Sequence, residues 1–170
     1  YLAPSEVAGS AVSLRERKDR FGTGVIRFTD IELKDLEGNA VSSVIPGEPF
    51  EIHVHYESPT GTIYGKANIG VDCYSYLGQR LFIQSMQYSG YESSGDFPPC
   101  GTGICRIASL PLPSGAYSLT LVCSVSGIRA DVVENAYTLT VEATNYMGST
   151  MALAYPDVSC LVQGQWRVEQ

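Results

Sequence analysis

From Phe50 to Glu57, apolar and polar residues alternate without a break. Phe50, Ile52, Val54 and Tyr56 fall in one phase, and Glu51, His53, His55 and Glu57 in the other. In an extended chain that period sends one set of side chains to each face, so this segment reads as a strand with one buried and one wet face. The pattern recurs. Ala67, Ile69, Val71 and Cys73 alternate with Asn68, Gly70, Asp72 and Tyr74. Tyr117, Leu119, Leu121, Cys123 and Val125 alternate with Ser118, Thr120, Val122 and Ser124. Tyr137, Leu139 and Val141 alternate with Thr138 and Thr140 within Ala136 to Glu142. Further strands are expected over Val25 to Asp35, Arg80 to Met86 and Ile104 to Leu110. The first of these changes phase between Phe28 and Ile31, which predicts a bulge near Asp30. Gly, Pro and Asn punctuate the runs, as at Leu36-Glu-Gly-Asn39, Ile45-Pro-Gly-Glu-Pro49 and Leu77-Gly-Gln79. Such spacing predicts an all-β antiparallel sandwich of about seven or eight strands and no long helix.

The 170 residues suffice for one domain with a real core and a terminal arm. Residues 1–20 lack sustained periodicity and read as a linker, with a short helix near Ser13 to Asp19. Four of the eleven basic residues, Arg15, Arg17, Lys18 and Arg20, lie in it. The remainder is more acidic than the net charge of -7 implies. Nucleic acid and anionic membrane are therefore poor partners. No apolar run is long enough to span a bilayer, so direct membrane insertion is not expected. Because the chain opens at Tyr1, the expectation is a fragment of a longer protein.

Five cysteines, Cys73, Cys100, Cys105, Cys123 and Cys160, form no disulfide framework by count or spacing. Cys73 and Cys123 read as small buried apolar residues, and a reducing compartment is expected. Both histidines, His53 and His55, share a strand face with Glu51 and Glu57. A metal site there is weighed against a solvated face, which fits better. No Ser–His–Asp or Cys–His set and no carboxylate pair across a cleft is apparent, so the chain reads as a binding module, not an enzyme.

The order of features resembles a known family. Phe21-Gly-Thr-Gly24 is followed by Asp35-Leu-Glu-Gly38 and Pro46-Gly-Glu-Pro49-Phe50. Leu110-Pro-Leu-Pro-Ser-Gly115-Ala-Tyr117 and a closing Gly164-Gln-Trp166-Arg-Val168 complete the series. From Phe21 to Val168 the chain resembles the carboxy-terminal domain of Wzt, the ATPase subunit of O-antigen ABC transporters. That resemblance implies a cytoplasmic, non-catalytic Ig-like sandwich that recognises the non-reducing end of a lipid-linked O-antigen polysaccharide before export. It places the domain at the inner face of the inner membrane, reaching the transporter's membrane subunit through the parent protein. It also implies a homodimer with exchanged terminal strands. Residues 1–20 would then be the link from a nucleotide-binding domain, and 21–170 the carbohydrate-binding sandwich. No Gly-x-x-x-x-Gly-Lys-Ser/Thr loop is present and no cofactor is implied for this piece. The segment Tyr88 to Gly101 departs from the family's shorter connection and reads as a long loop.

A glycan groove needs small residues at its floor, flat aromatic faces and polar groups at its edge. In an Ig-like arrangement, the outward residues of one sheet supply that set: Asn68, Asp72, Tyr74, Tyr76, Phe82, Gln84, Ser118, Thr120 and Thr138. Arg80 either meets an anionic sugar or forms a surface ion pair with Asp72 or a loop acid. Ser and Thr also suit an ordinary wet sheet, and two outward tyrosines tip the reading toward a ligand. The terminal arm from about residue 146 carries Tyr146, Met147, Met151, Leu153, Tyr155 and Trp166. That apolar load suits packing on a partner protomer, or folding back on its own sandwich.

Overall fold

The computed structural model describes residues 11–91, 96–143, 158–162 and 164–169. Seven strands carry the architecture: β3 (Arg27–Lys34), β5 (Phe50–Glu57), β6 (Ala67–Tyr74), β7 (Arg80–Ser85), β8 (Cys100–Ile107), β9 (Gly115–Val125) and β10 (Ile128–Val141). Three two-residue strands join them: β1 (Val12–Ser13), β2 (Arg20–Phe21) and β4 (Ala40–Val41). There is no helix among the described residues. One sheet runs β1-β3-β5-β8 with β4 beside β3, and the other runs β2-β10-β9-β6-β7. Every strand pair is antiparallel.

The alternating runs face each other across the sandwich. Ile31, Leu33, Ile52 and Val54 of one sheet meet Val71, Cys73, Leu119, Leu121 and Leu139 of the other, all buried. Cys73 and Cys123 lie in this core, and all five cysteines are free thiols. The expected bulge is present as a register shift between Phe28 and Asp30. Tyr117 Oη donates to the Pro113 carbonyl at 2.7 Å. The Leu-Pro-x-Gly-x-Tyr stretch thus forms the tyrosine corner of Ig-like sandwiches, fixing the chain as it enters β9.

Three expectations are corrected. First, the sandwich begins before Phe21. Val12–Ser13 pairs with β3, Arg20–Phe21 pairs with β10, and Leu14 is fully buried. Between them lies a turn closed by Arg17 N–H to the Leu14 carbonyl, not a helix. This stretch has no periodicity because it crosses from one sheet to the other, pairing over only two residues in each. Arg20 ties the crossing down. Its guanidinium donates to Asp131 at 3.0 and 2.5 Å, and to the Leu14 and Phe28 carbonyls, both at 2.9 Å. Asp131 also accepts the Phe28 N–H at 2.8 Å. Both charges are almost wholly buried and fully hydrogen-bonded, the condition under which a buried pair is tolerated. The tight approach at Gly22, where a Cβ would run into the Ala130 carbonyl, explains one glycine of Phe21-Gly-Thr-Gly24.

Second, β8 starts at Cys100, inside the stretch read as a loop. Gly101 and Gly103 look like turn residues, yet they serve packing. A Cβ at Gly101 would lie 2.7 Å from Tyr56 Oη, and one at Gly103 would lie 3.1 Å from Ile69 Cδ1. Phe97 is buried against Tyr56, ring centroids 5.4 Å apart, so part of this segment is core. Third, β10 begins at Ile128 and not at Ala136. A tight turn through Ser126 and Gly127, both at positive φ, joins it to β9. The arm from residue 146 lies outside the described residues up to 157. After it, Leu161 is buried and its N–H donates to the Pro111 carbonyl.

Candidate glycan-binding groove

Strands β7, β6, β9 and β10 lie side by side, as expected for the sheet bearing the candidate residues. The register puts Tyr74, Ser118 and Thr138 in one row across β6, β9 and β10. The next row holds Ile83, Asp72 and Thr120, and the row of Asn68 holds Ser124 and Arg129. A concavity of about 390 Å³ opens on this face. Tyr74 and Tyr76 form one side, Ser118 and Thr120 the floor, and Glu134 and Asn135 the far wall.

Local structure explains each position. The β6–β7 turn is closed by Ser75 N–H to the Gln79 carbonyl and by Gly78 N–H to the Ser75 carbonyl. It lifts Tyr76 into solvent, where it is 87% exposed. Asp72 is buried and accepts from Arg80 Nη1 at 3.2 Å, so the arginine is engaged by a carboxylate. Asn68 lies farther along the sheet, its Oδ1 accepting from Ser85 Oγ at 3.0 Å and from Gln87 N–H at 2.9 Å. Thr138 is exposed beside Ser118.

Phe82 and Gln84 are corrected. A register shift between Cys73 and Tyr74 leaves Leu81 as an extra residue on β7. Phe82 then pairs with Cys73 and Gln84 with Val71, both on the core side. A one-residue slip moves every side chain to the opposite face. Ile83 and Ser85 take the outward positions, and Phe82 packs against the core.

Glu134 and Asn135 were not among the sequence candidates. Opposite the single residue Thr120, β10 carries three, Glu134, Asn135 and Ala136, between the pairs Val133–Leu121 and Tyr137–Leu119. Asn135 adopts φ 49°, and its Oδ1 accepts from Ser118 Oγ at 2.6 Å. The signal was available. Carried back from Leu139 and Tyr137, strict alternation would bury Asn135; the bulge puts Ala136 inside instead.

The groove combines hydroxyls, one carboxamide, a carboxylate and two aromatic faces. Its nearest cation is already paired. Such a surface suits a neutral polyhydroxyl ligand: flat sugar faces on the rings, and hydroxyls on Ser118, Thr120, Glu134 and Asn135. The histidines lie on the outer face of the other sheet. His55 contacts Glu32 Oε1 at 3.1 Å and Thr102 Oγ1 at 2.8 Å, and His53 lies 3.5 Å from Glu51 Oε1. No cluster of three metal-ligating side chains occurs among the described residues.

Comparison with known proteins now decides the family. The model of the Wzt C-terminal domain matches residues 17–153. The chain belongs to the Wzt C-terminal domain family. A solved structure, described as the crystal structure of the C-terminal domain of Wzt, superposes with a TM-score of 0.71 at 12% identity. The match covers 91% of this chain and 90% of that one. At that identity it establishes the shared all-β fold. No curated protein sequence matches the chain. The family match begins at Arg17, inside the stretch that the structure places between the two sheets. Among the described residues no helix is long and apolar enough to cross a membrane.

Proposed function

We propose that this Wzt C-terminal domain is a non-catalytic carbohydrate-binding module. Its ligand would be the non-reducing end of a lipid-linked O-antigen polysaccharide, held for export by an ABC transporter. The groove on the β7-β6-β9-β10 sheet supports this reading most directly, because it sets Tyr74 and Tyr76 against a floor of hydroxyls. Recognition needs no cofactor here. It would take place in the cytoplasm, with the transporter's membrane subunit engaged through the parent protein. Calorimetric titration with O-polysaccharide from the source organism tests it. Saturable binding is expected, and Tyr74→Ala and Tyr76→Ala should each weaken it by about tenfold, the order of a stacking contact. Unchanged affinity in both variants would remove the groove from the binding site.

A second reading, a dimerisation or docking sandwich without glycan affinity, draws on the terminal segment. Trp166 is 98% exposed, and Val162 and Val168 are also exposed. Apolar side chains left in water at a chain end suit packing on a second copy, as strand exchange would provide. Light scattering should give a homodimer under both readings; only the first also gives polysaccharide binding.

A further inference from the structure

The wall of the groove is held from outside the groove. Arg17 Nη2 donates to the Glu134 carbonyl at 2.7 Å and Arg17 Nη1 to the Asn135 carbonyl at 3.2 Å. The same guanidinium is clamped by Asp19, with Nε to Oδ1 at 2.6 Å and Nη2 to Oδ2 at 2.8 Å. Those two carbonyls belong to the bulge that disrupts the β9–β10 ladder, where the residues have no one-to-one partner on β9. Asn135 sits in the left-handed region, which costs a non-glycine residue and persists only where the surroundings impose it. Arg17 and the bond from Ser118 both hold it there.

We infer that Arg17 is a positioning residue for the ligand groove, linking the segment that enters the sandwich to the Glu134–Asn135 wall. The link to ligand rests on the reading of this face as a glycan site; the mechanical part does not. A planar fork with donors on three nitrogens can grip a carboxylate and two adjacent carbonyls at once, whereas an ammonium cannot. A shift of the 14–20 turn would therefore move one wall of the groove while leaving Tyr74, Tyr76 and the floor in place. Conversely, a ligand seated on Asn135 would bias the conformation of the entering chain. The coupling is reciprocal because it is a free energy shared by two sites.

The test compares wild type, Arg17→Gln, Arg17→Lys and the charge-matched control Lys18→Gln. Hydrogen–deuterium exchange of the peptide spanning residues 131–138 is read without ligand. Arg17→Gln should speed exchange there by about tenfold, as expected for the loss of charge-assisted bonds, and Arg17→Lys should restore little of it. Lys18→Gln should match wild type. Exchange over Ile52–Tyr56, in the other sheet, should be the same in all four proteins, which separates a local effect from unfolding. Titration with O-polysaccharide from the source organism should then show weaker binding for Arg17→Gln by a similar factor, with Lys18→Gln unchanged. Exchange over 131–138 that is the same in Arg17→Gln and Lys18→Gln overturns the inference. So does faster exchange accompanied by undiminished affinity. If the wild type binds no polysaccharide, the glycan reading fails, and the exchange arm alone decides whether Arg17 holds the bulge.

Discussion

Asp131 shows how much one side chain can hold in this fold. It accepts from Arg20 twice and from the Phe28 amide, so three donors from two segments converge on one buried carboxylate. Removing a single partner of such a group leaves a charge stranded away from water. Asp131→Ala is therefore expected to cost about 3–5 kcal/mol, measured as a lower urea midpoint at unchanged slope. A loss below about 1 kcal/mol would mean that water or another cation takes over. Nothing in the sequence around Val132 and Val133 marked this aspartate as inward. Alternation gives the face of a residue, but not the identity of a partner 111 positions away. Arg80 was the opposite case, since an ion pair with Asp72 or a loop acid was an expected alternative to a sugar contact and the structure shows the pair with Asp72.

At the scale of elements, the strictly alternating runs became strands with the expected inner faces, β5 most cleanly. Where that regularity breaks was legible only in part. The bulge near Asp30 was legible because both phases around it are strongly apolar. The extra residue at Leu81 was hidden, because Leu81, Phe82 and Ile83 are apolar in both phases. That ambiguity put Phe82 and Gln84 on the wrong face. The start of β8 was hidden for a different reason: Gly101 and Gly103 signal a turn by composition, yet here they make room for Tyr56 and Ile69. Gly101→Ala should accordingly destabilise by about 1–3 kcal/mol through overpacking, read as a depressed melting temperature. An unaltered melting temperature would show that the Tyr56 ring moves aside freely.

For the whole molecule, the core places two thiols where ionisation is penalised. Burial pushes Cys73 and Cys123 from an ordinary value of 9.0 up to about 12. The folded state therefore holds these protons more tightly than the unfolded chain does. Their contribution is fully present below about pH 9 and is lost as pH rises toward 12. Denaturant midpoints should fall over that window, and Cys73→Ala/Cys123→Ala should flatten the fall relative to its own value at pH 8. An equal slope in the double variant would assign alkaline sensitivity to other groups.

The crossing between the sheets at residues 12–21 also bears on how such a domain can travel between proteins. A recombination junction placed at Phe21 would split Arg20 from Asp131 and discard Leu14 from the core. A grafted copy is therefore expected to keep its stability only when it carries the chain from Val12 onward.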